Sequence, residues 1–193
     1  MKESLFKQDL SLIAEIREGI ERESLRTDLQ GKMSRKRHPI CLGEKLTHPF
    51  ITTDYSENLL EFITGVHSST DSLLDELTRI HAYTHQCMDE EIMWPSSMPS
   101  ILPEKDDDIP LAYFGESNIG KLKTLYRKGL GNRYGRAMQS ISGLHYNFSL
   151  SDNFWNLLKE NFNDERNLEE IKSDYYFRLI RNFQRYKWVL IYL

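Results

Sequence analysis

Two glutamates, Glu21 and Glu23, stand two positions apart in residues 20–26, whose alternation of apolar and polar side chains predicts a strand. Side chains two apart on a strand share a face, so both carboxylates point to one side of a sheet and Arg22 points to the other. Like charges this close repel unless a proton or a cation lies between them, and Mg²⁺ prefers such oxygen ligands. A solvent-facing strand edge would carry the same pair, so both interpretations stay open.

A third carboxylate, Glu61, lies among apolar residues in a predicted strand over residues 58–64. Burying a polar group there without a partner costs about 2–7 kcal/mol, so Glu61 must face either water or a cation. Asp54 precedes this strand by a few residues. It either belongs to the same charged site or caps the following turn, with Glu57 closing a capping box.

His145 lies in the predicted strand of residues 143–150, which alternates strictly. His145, Asn147 and Ser149 face one side of that strand, and aromatic and aliphatic residues face the other. A neutral imidazole can ligate a metal ion, so this polar side could form one wall of a site. A solvated polar sheet face is the alternative interpretation.

Two further patterns concern phosphates and nucleic acids. Residues 115–121 have the spacing of a phosphate-binding loop, but Leu122 stands where that motif needs Ser or Thr, so we exclude it. Residues 121–136 mix basic side chains with Tyr126 and Tyr134. Such a mixture can bind phosphates or single-stranded nucleic acid, and it also occurs on solvated helix faces. A net charge of −4, from 25 Lys+Arg and 29 Asp+Glu, argues against a nucleic-acid partner.

Length and composition bound the class of protein. A chain of 193 residues that is 39% hydrophobic and 28% charged can bury a core in one large domain or two small ones, and is neither disordered nor a membrane protein in composition. Cys41 and Cys87 make no disulfide framework and suit a reducing compartment. The N-terminal segment has charges scattered through it and resembles no signal peptide or membrane span. We therefore expect a soluble, cytoplasmic protein.

Apolar spacing, capping residues and glycines predict the remaining elements. The expected elements are helices over residues 5–18, 71–87, 152–160 and 168–187, a helix in pieces over 121–139, and an irregular segment over 94–110. The residues expected to start, stop or break these helices are Gly19, Asp71, Ser72, Gly129, Gly131 and Gly135. The apolar run over 188–193 needs a surface to pack on, either in this domain or in a longer protein, and we favour the longer protein.

Taken together, these segments resemble the glutamate–cysteine ligase family of the gamma-proteobacterial type. The resemblance rests on five strings that occur in order: G-I-E-R-E-S-L-R, T-H-P-F-I-T-T-D-Y-S-E-N-L-L-E-F-I-T, M-W-P-S-S-M-P, S-N-I-G-K-L-K-T-L-Y-R-K-G-L and N-R-Y-G-R-A-M-Q-S-I-S-G-L-H-Y-N-F-S-L. It implies an α+β fold, namely part of a glutamine-synthetase-like antiparallel sheet funnel with helices packed outside. Residues 1–193 would be the N-terminal portion of a single catalytic domain, truncated relative to the family.

The resemblance also implies a reaction, in which ATP phosphorylates the side-chain carboxylate of L-glutamate and L-cysteine then displaces phosphate from γ-glutamyl phosphate. It implies Mg²⁺ as cofactor and ATP as co-substrate, with no catalytic residue assigned beyond the ligands. The implied metal ligands are Glu21, Glu23, Asp54, Glu61 and His145. The implied cysteine pocket contains Tyr55, Tyr126, Arg127, Leu130 and Gln139, although the family commonly has Phe where Tyr55 stands.

Family members are much longer than this chain, and the rest of their fold contributes another acidic ligand, basic residues for the phosphates and most of the nucleotide pocket. The missing C-terminal part would then be a partner, together with the small-molecule substrates, while no nucleic acid or membrane is expected. We expect the chain to be inactive alone. The alternative function is that of a truncated, inactive fragment that retains only part of the Mg²⁺ and substrate site.

Overall fold

The computed structural model describes residues 15–192. They fall into two compact units, one of residues 18–148 and one of residues 149–192 with 15–17. Most of the helix expected over 5–18 lies outside the described residues. From Ile16 onward the chain is extended, and Gly19 lies inside a strand instead of ending a helix, because Glu18 exchanges backbone hydrogen bonds of 2.8 Å in both directions with His67.

A five-stranded sheet forms the centre of the larger unit. Its strands are β1 (Ile16–Asp28), β2 (Ile51–Thr53), β3 (Leu59–Ile63), β4 (Glu91–Met93) and β5 (Leu144–Leu150). The strand order is β2-β3-β1-β4, and β5 also pairs with β1. Since β3 runs antiparallel to both β1 and β2, and β4 antiparallel to β1, the fold mixes helices with an antiparallel sheet as expected. The three predicted strands are confirmed.

Helix α1 (Thr70–Gln86) covers one face of this sheet. It begins at Ser69, whose hydroxyl accepts from the Ser72 N–H, so the predicted caps lie two to three residues too late. Leu77 packs with Phe62 of β3 in the core under the helix. Arg22 also points to this side.

Helix α2 (Asn118–Tyr134) is continuous, so the prediction of separate helical pieces was wrong. Gly129 and Gly131 both lie within it, since a glycine in a helix costs only about 1 kcal/mol relative to alanine, which is too little to interrupt a helix of 17 residues. Gly135, with φ of 82°, does end the helix as expected.

Charged side chains are buried in pairs inside the larger unit. Arg26 bonds both carboxylate oxygens of Glu91, at 3.1 and 2.8 Å, and both side chains are almost completely buried. Lys45 pairs with Glu57, whose backbone carbonyl accepts a further bond from Arg26 at 3.2 Å. Because its carboxylate binds Lys45, Glu57 does not close the capping box that was one interpretation of Asp54.

The smaller unit is helical. Its helices are α3 (Asp152–Phe162), α4 (Leu168–Tyr186) and α5 (Trp188–Tyr192), and the two longer ones confirm the prediction. Trp155 and Leu158 of α3 pack against Ile171 of α4. The apolar side chains of α5 are exposed. None of the helices within residues 15–192 combines the length and apolar character needed to span a membrane.

Candidate metal and substrate site

Three of the predicted ligands meet on one face of the sheet. Glu23 of β1 lies directly opposite Glu61 of β3 in the antiparallel register, and Glu21 lies two positions along β1 on the same face. Arg22 points to the other face, where its Nη1 lies 3.0 Å from Nε2 of His81. The alternation expected from the sequence is therefore present, and it places like charges on facing strands.

His145 of β5 lies beside this group. Its Nδ1 is 3.3 Å from Oε2 of Glu21, and the amide of Asn147 donates to Oε1 of the same carboxylate at 2.9 Å. The backbone N–H of Gly143 donates to Oε2 of Glu23 at 2.6 Å. The polar side of β5 is thus not merely solvated, because His145 and Asn147 contact Glu21. Gly143, just before β5, holds Glu23.

Asp54 follows β2 directly. The last two residues of β2 pair with β3, and Thr52 lies opposite Glu61. The Nε of Arg127, from α2, donates to the backbone carbonyl of Asp54. The Arg127 guanidinium lies 4.5 Å from the centre of the Phe114 ring, which holds it by a cation–π contact. A cation is thus fixed at the margin of the acidic face.

The carboxylates of Glu21, Glu23, Asp54 and Glu61 are here called the carboxylate cluster, and two of them have a raised pKa. Burial, followed by the charges of Asp54, Glu23 and Glu21, raises the pKa of Glu61 to about 7. Burial also raises the pKa of Glu23, although the Gly143 N–H opposes that shift. Arg127 opposes the shift at Glu61. The cluster therefore holds more negative charge than its surroundings balance.

The donor atoms suit a hard divalent cation, because carboxylate oxygens with one imidazole are the ligand types that Mg²⁺ and related ions accept. The excess negative charge of the carboxylate cluster fits such an ion as well. Within residues 15–192, however, no three His, Cys, Asp or Glu side chains are arranged so that they could hold one metal ion as they stand. Binding would require side-chain rotation on a backbone that already brings the residues together.

The residues predicted for the substrate pocket lie around α2. Leu130 and Tyr55 pack in the same core cluster, and Tyr55 is only 1% exposed. Arg127 reaches the backbone of Asp54, as described above. Gln139 is half-buried in a short 3₁₀ helix that packs on α2, whereas Tyr126 is exposed. The structure thus gathers the five positions around one helix, with Tyr55 beneath it.

Tyr55→Phe is expected to stabilise the protein by about 1 kcal/mol, because the Tyr55 hydroxyl is buried and has no hydrogen-bond partner among residues 15–192. A Cβ added at Gly131 would overlap that hydroxyl. Gly131→Ala should therefore destabilise by about 1–3 kcal/mol in the natural chain and be tolerated beside Tyr55→Phe. Urea unfolding of the two single variants and the double variant measures this.

Gly129→Ala is the matched control, since nothing outside its chain neighbours and the helix's own backbone lies within 4 Å of a Cβ built there. It should stabilise the protein by about 0.5–1 kcal/mol. If Gly131→Ala gave the same gain, the contact between α2 and Tyr55 would not exist as described.

Two groups that hold site residues in place were not predicted from the sequence. The Gly143 N–H that holds Glu23 is a backbone donor, and the residue type at this position gives no indication of that hydrogen bond. Phe114, which holds the Arg127 guanidinium, precedes α2 in a segment with no periodic pattern. An aromatic residue thirteen positions before an arginine carries no signal by itself.

Comparison with known sequences shows which family this chain is similar to. A family model described as glutamate–cysteine ligase matches residues 3–193. A relative named glutamate–cysteine ligase from Janthinobacterium sp. (strain Marseille) is 49% identical over 199 residues, which cover 98% of this chain and 38% of the relative. Another of that name, from Saccharophagus degradans, is 51% identical over 178 residues, covering 92% and 33%. The chain thus spans about a third of the length of these relatives.

Solved structures agree with this similarity. A glutamate–cysteine ligase from Francisella tularensis, solved in complex with AMP, superposes with a TM-score of 0.84 at 43% identity, covering 93% of this chain and 34% of the other. A bifunctional glutathione synthetase from Pasteurella multocida superposes with a TM-score of 0.86 at 32% identity, covering 95% and 24%.

Proposed function

The chain belongs to the glutamate–cysteine ligase family, and on that premise we propose that it carries part of the active site of an ATP-dependent ligase. The side-chain carboxylate of L-glutamate attacks the terminal phosphorus of ATP, which gives γ-glutamyl phosphate and releases ADP. The amine of L-cysteine then attacks the activated carbonyl and displaces phosphate. The product, γ-glutamylcysteine, is the first intermediate of glutathione biosynthesis.

One observation supports this function most directly, namely the convergence of Glu21, Glu23 and Glu61 on a single sheet face beside His145. Asp54 is near enough to raise the pKa of Glu61 and of Glu23. Phosphoryl transfer depends mainly on positioning and on neutralising charge. We propose that Glu21, Glu23, Asp54, Glu61 and His145 hold Mg²⁺, which would neutralise the charge of the phosphate oxygens when bound. The AMP bound by the Francisella tularensis relative supports an adenine nucleotide as the co-substrate.

The residues of this chain contribute orientation. Gly143 and Asn147 hydrogen-bond the Glu23 and Glu21 carboxylates and hold them on the face where a cation would bind, so that a rotation of the side chains would complete the ligand set. Arg127 supplies a positive charge at the edge of the same face, which suits the carboxylate of an amino-acid substrate. We propose that it forms the cysteine pocket with Tyr55, Tyr126, Leu130 and Gln139.

The wider architecture follows from the same proposal. The sheet would be part of a glutamine-synthetase-like funnel, and residues 1–193 the N-terminal portion of a single catalytic domain in a cytoplasmic enzyme. Leu144, Tyr146 and Phe148, on the aromatic and aliphatic side of β5, are exposed. The remaining part of the family fold would cover such a surface, which makes that part the expected partner.

A chimaera tests the function. Residues 1–193 joined to the remaining two thirds of the Saccharophagus degradans relative should release phosphate from ATP only when glutamate, cysteine and Mg²⁺ are all present. The 193-residue chain alone should show no turnover above background. The alternative function, that of an inactive fragment, predicts the same result for the chain alone. The assay measures phosphate and γ-glutamylcysteine together.

Two outcomes contradict the proposal. A folded chimaera that released no phosphate would reject the assigned reaction for this chain. Turnover by residues 1–193 alone would instead show that the site is complete without the rest of the family fold.

A further inference from the structure

We propose that Cys41 and Cys87 form an intramolecular disulfide when the protein meets a low-molecular-weight disulfide. Cys41 lies in the short 3₁₀ helix Ile40–Leu42, and Cys87 is the C-cap of α1. The Sγ of Cys41 is 3.3 Å from the backbone oxygen of Cys87, a residue 46 positions away. The Cys41 thiol also lies near enough to Cys87 to raise the pKa of its thiol. Both thiols are free in this structure.

The backbone around both thiols is held in place. Leu42 is completely buried in the core cluster against which Cys87 packs. The hydroxyl of Tyr83, one turn before Cys87 on α1, donates to the carbonyl oxygen of Cys41 at 2.6 Å. A disulfide requires Cβ atoms about 3.5–4.5 Å apart. The 3.3 Å contact between the Cys41 thiol and the backbone oxygen of Cys87 places the two residues side by side, which is the arrangement from which such a bond can form.

The two thiols differ in a way that sets the order of the steps. Cys41 is exposed, whereas Cys87 is half-buried, and burial together with the Cys41 thiol raises the pKa of Cys87 to about 11. The Cys41 thiolate therefore attacks the small disulfide first and releases one small thiol. The Cys87 thiol then loses its proton, attacks Sγ of Cys41 and releases the second small thiol. Two protein thiols are oxidised and one external disulfide is reduced to two thiols.

The bond would tie the 3₁₀ helix to the end of α1. That helix leads into the segment that carries Lys45, the buried partner of Glu57. A cross-link over 46 positions restricts the unfolded chain, so the oxidised protein should melt about 5–10 °C higher than the reduced protein. Dithiothreitol should reverse the shift.

The test uses the 193-residue chain and glutathione disulfide in mildly alkaline buffer, followed by alkylation and intact-mass measurement. The natural chain should lose the mass of two hydrogens, resist alkylation at both cysteines and form no covalent dimer. Cys87→Ser should instead keep one glutathione on Cys41. Cys41→Ser should react more slowly than Cys87→Ser, because its remaining thiol is the half-buried one.

Three results would overturn the proposal: a natural chain that keeps glutathione at the end point, one that remains open to alkylation at both thiols, or one that forms covalent dimers. Circular dichroism of both serine variants checks that their sheet and helix content is unchanged. Since Ser is close in size to Cys, both variants should keep the melting temperature of the reduced natural chain and lose only the oxidative increase.

Discussion

Arg26→Met is expected to destabilise the protein by about 3–5 kcal/mol, because it leaves the Glu91 carboxylate buried without its counter-charge. Arg26 is 0% exposed, and its guanidinium also donates to the carbonyl oxygens of Lys36 and Glu57, at 2.8 and 3.2 Å. The substitution also removes the hydrogen-bond donor of these two carbonyl oxygens. Since a domain is stable by only about 5–15 kcal/mol, the midpoint of urea unfolding should fall steeply.

Two further variants separate the buried pair from charge in general. Arg35→Met breaks an exposed ion pair with Asp108 and should leave the midpoint nearly unchanged. The double variant Arg26→Met/Glu91→Met removes both buried charges and should recover a large part of the loss. If Arg26→Met cost no more than Arg35→Met, the Arg26–Glu91 pair would not be buried as the structure describes.

Glu61→Gln in the chimaera is expected to lower the ligase rate by about 100-fold or more, since it removes a proposed Mg²⁺ ligand while keeping the shape of the side chain. The Mg²⁺ concentration that gives half of the maximal rate should rise in parallel. The fold should persist, because glutamine relieves the repulsion between Glu61 and Glu23 across β1 and β3. Steady-state rates across a Mg²⁺ titration measure both effects.

Glu44→Gln is the control for this change, since Glu44 is an exposed glutamate in the loop before β2. It should leave both the rate and the Mg²⁺ dependence unaltered. Activity of the Glu61→Gln chimaera within a few-fold of its parent would show that Glu61 is not a ligand, even if the chimaera itself is an active ligase.

The strands were predictable because their signal is local. The alternation around Glu21 and Glu23, and the apolar residues around Glu61, indicate which side chains share a face. What the sequence could not show is the register that sets Glu23 opposite Glu61, since cross-strand pairing depends on the length and path of the connecting chain. Family resemblance, not spacing, brought Asp54 and His145 to the same site.

Other features depend on contacts between distant positions. Arg26 and Glu91 are 65 residues apart, and no local pattern marks either as one half of a buried pair. The continuity of α2 was missed because Gly131 was interpreted as a helix breaker. The structure shows instead that a glycine is needed there, since the Tyr55 hydroxyl occupies the space of a side chain.

β5 has a consequence for how this chain behaves in solution. Within the described residues β1 is its only strand partner, so the backbone groups on its other side have no strand to pair with, and the Leu150 N–H donates to the Tyr176 hydroxyl at 3.0 Å. Its sequence, Leu144–Leu150, contains no lysine, proline or acidic residue that would disfavour pairing with a strand of another molecule. A second copy of the same chain can dock there edge to edge, so concentrated solutions of residues 1–193 are prone to ordered self-association.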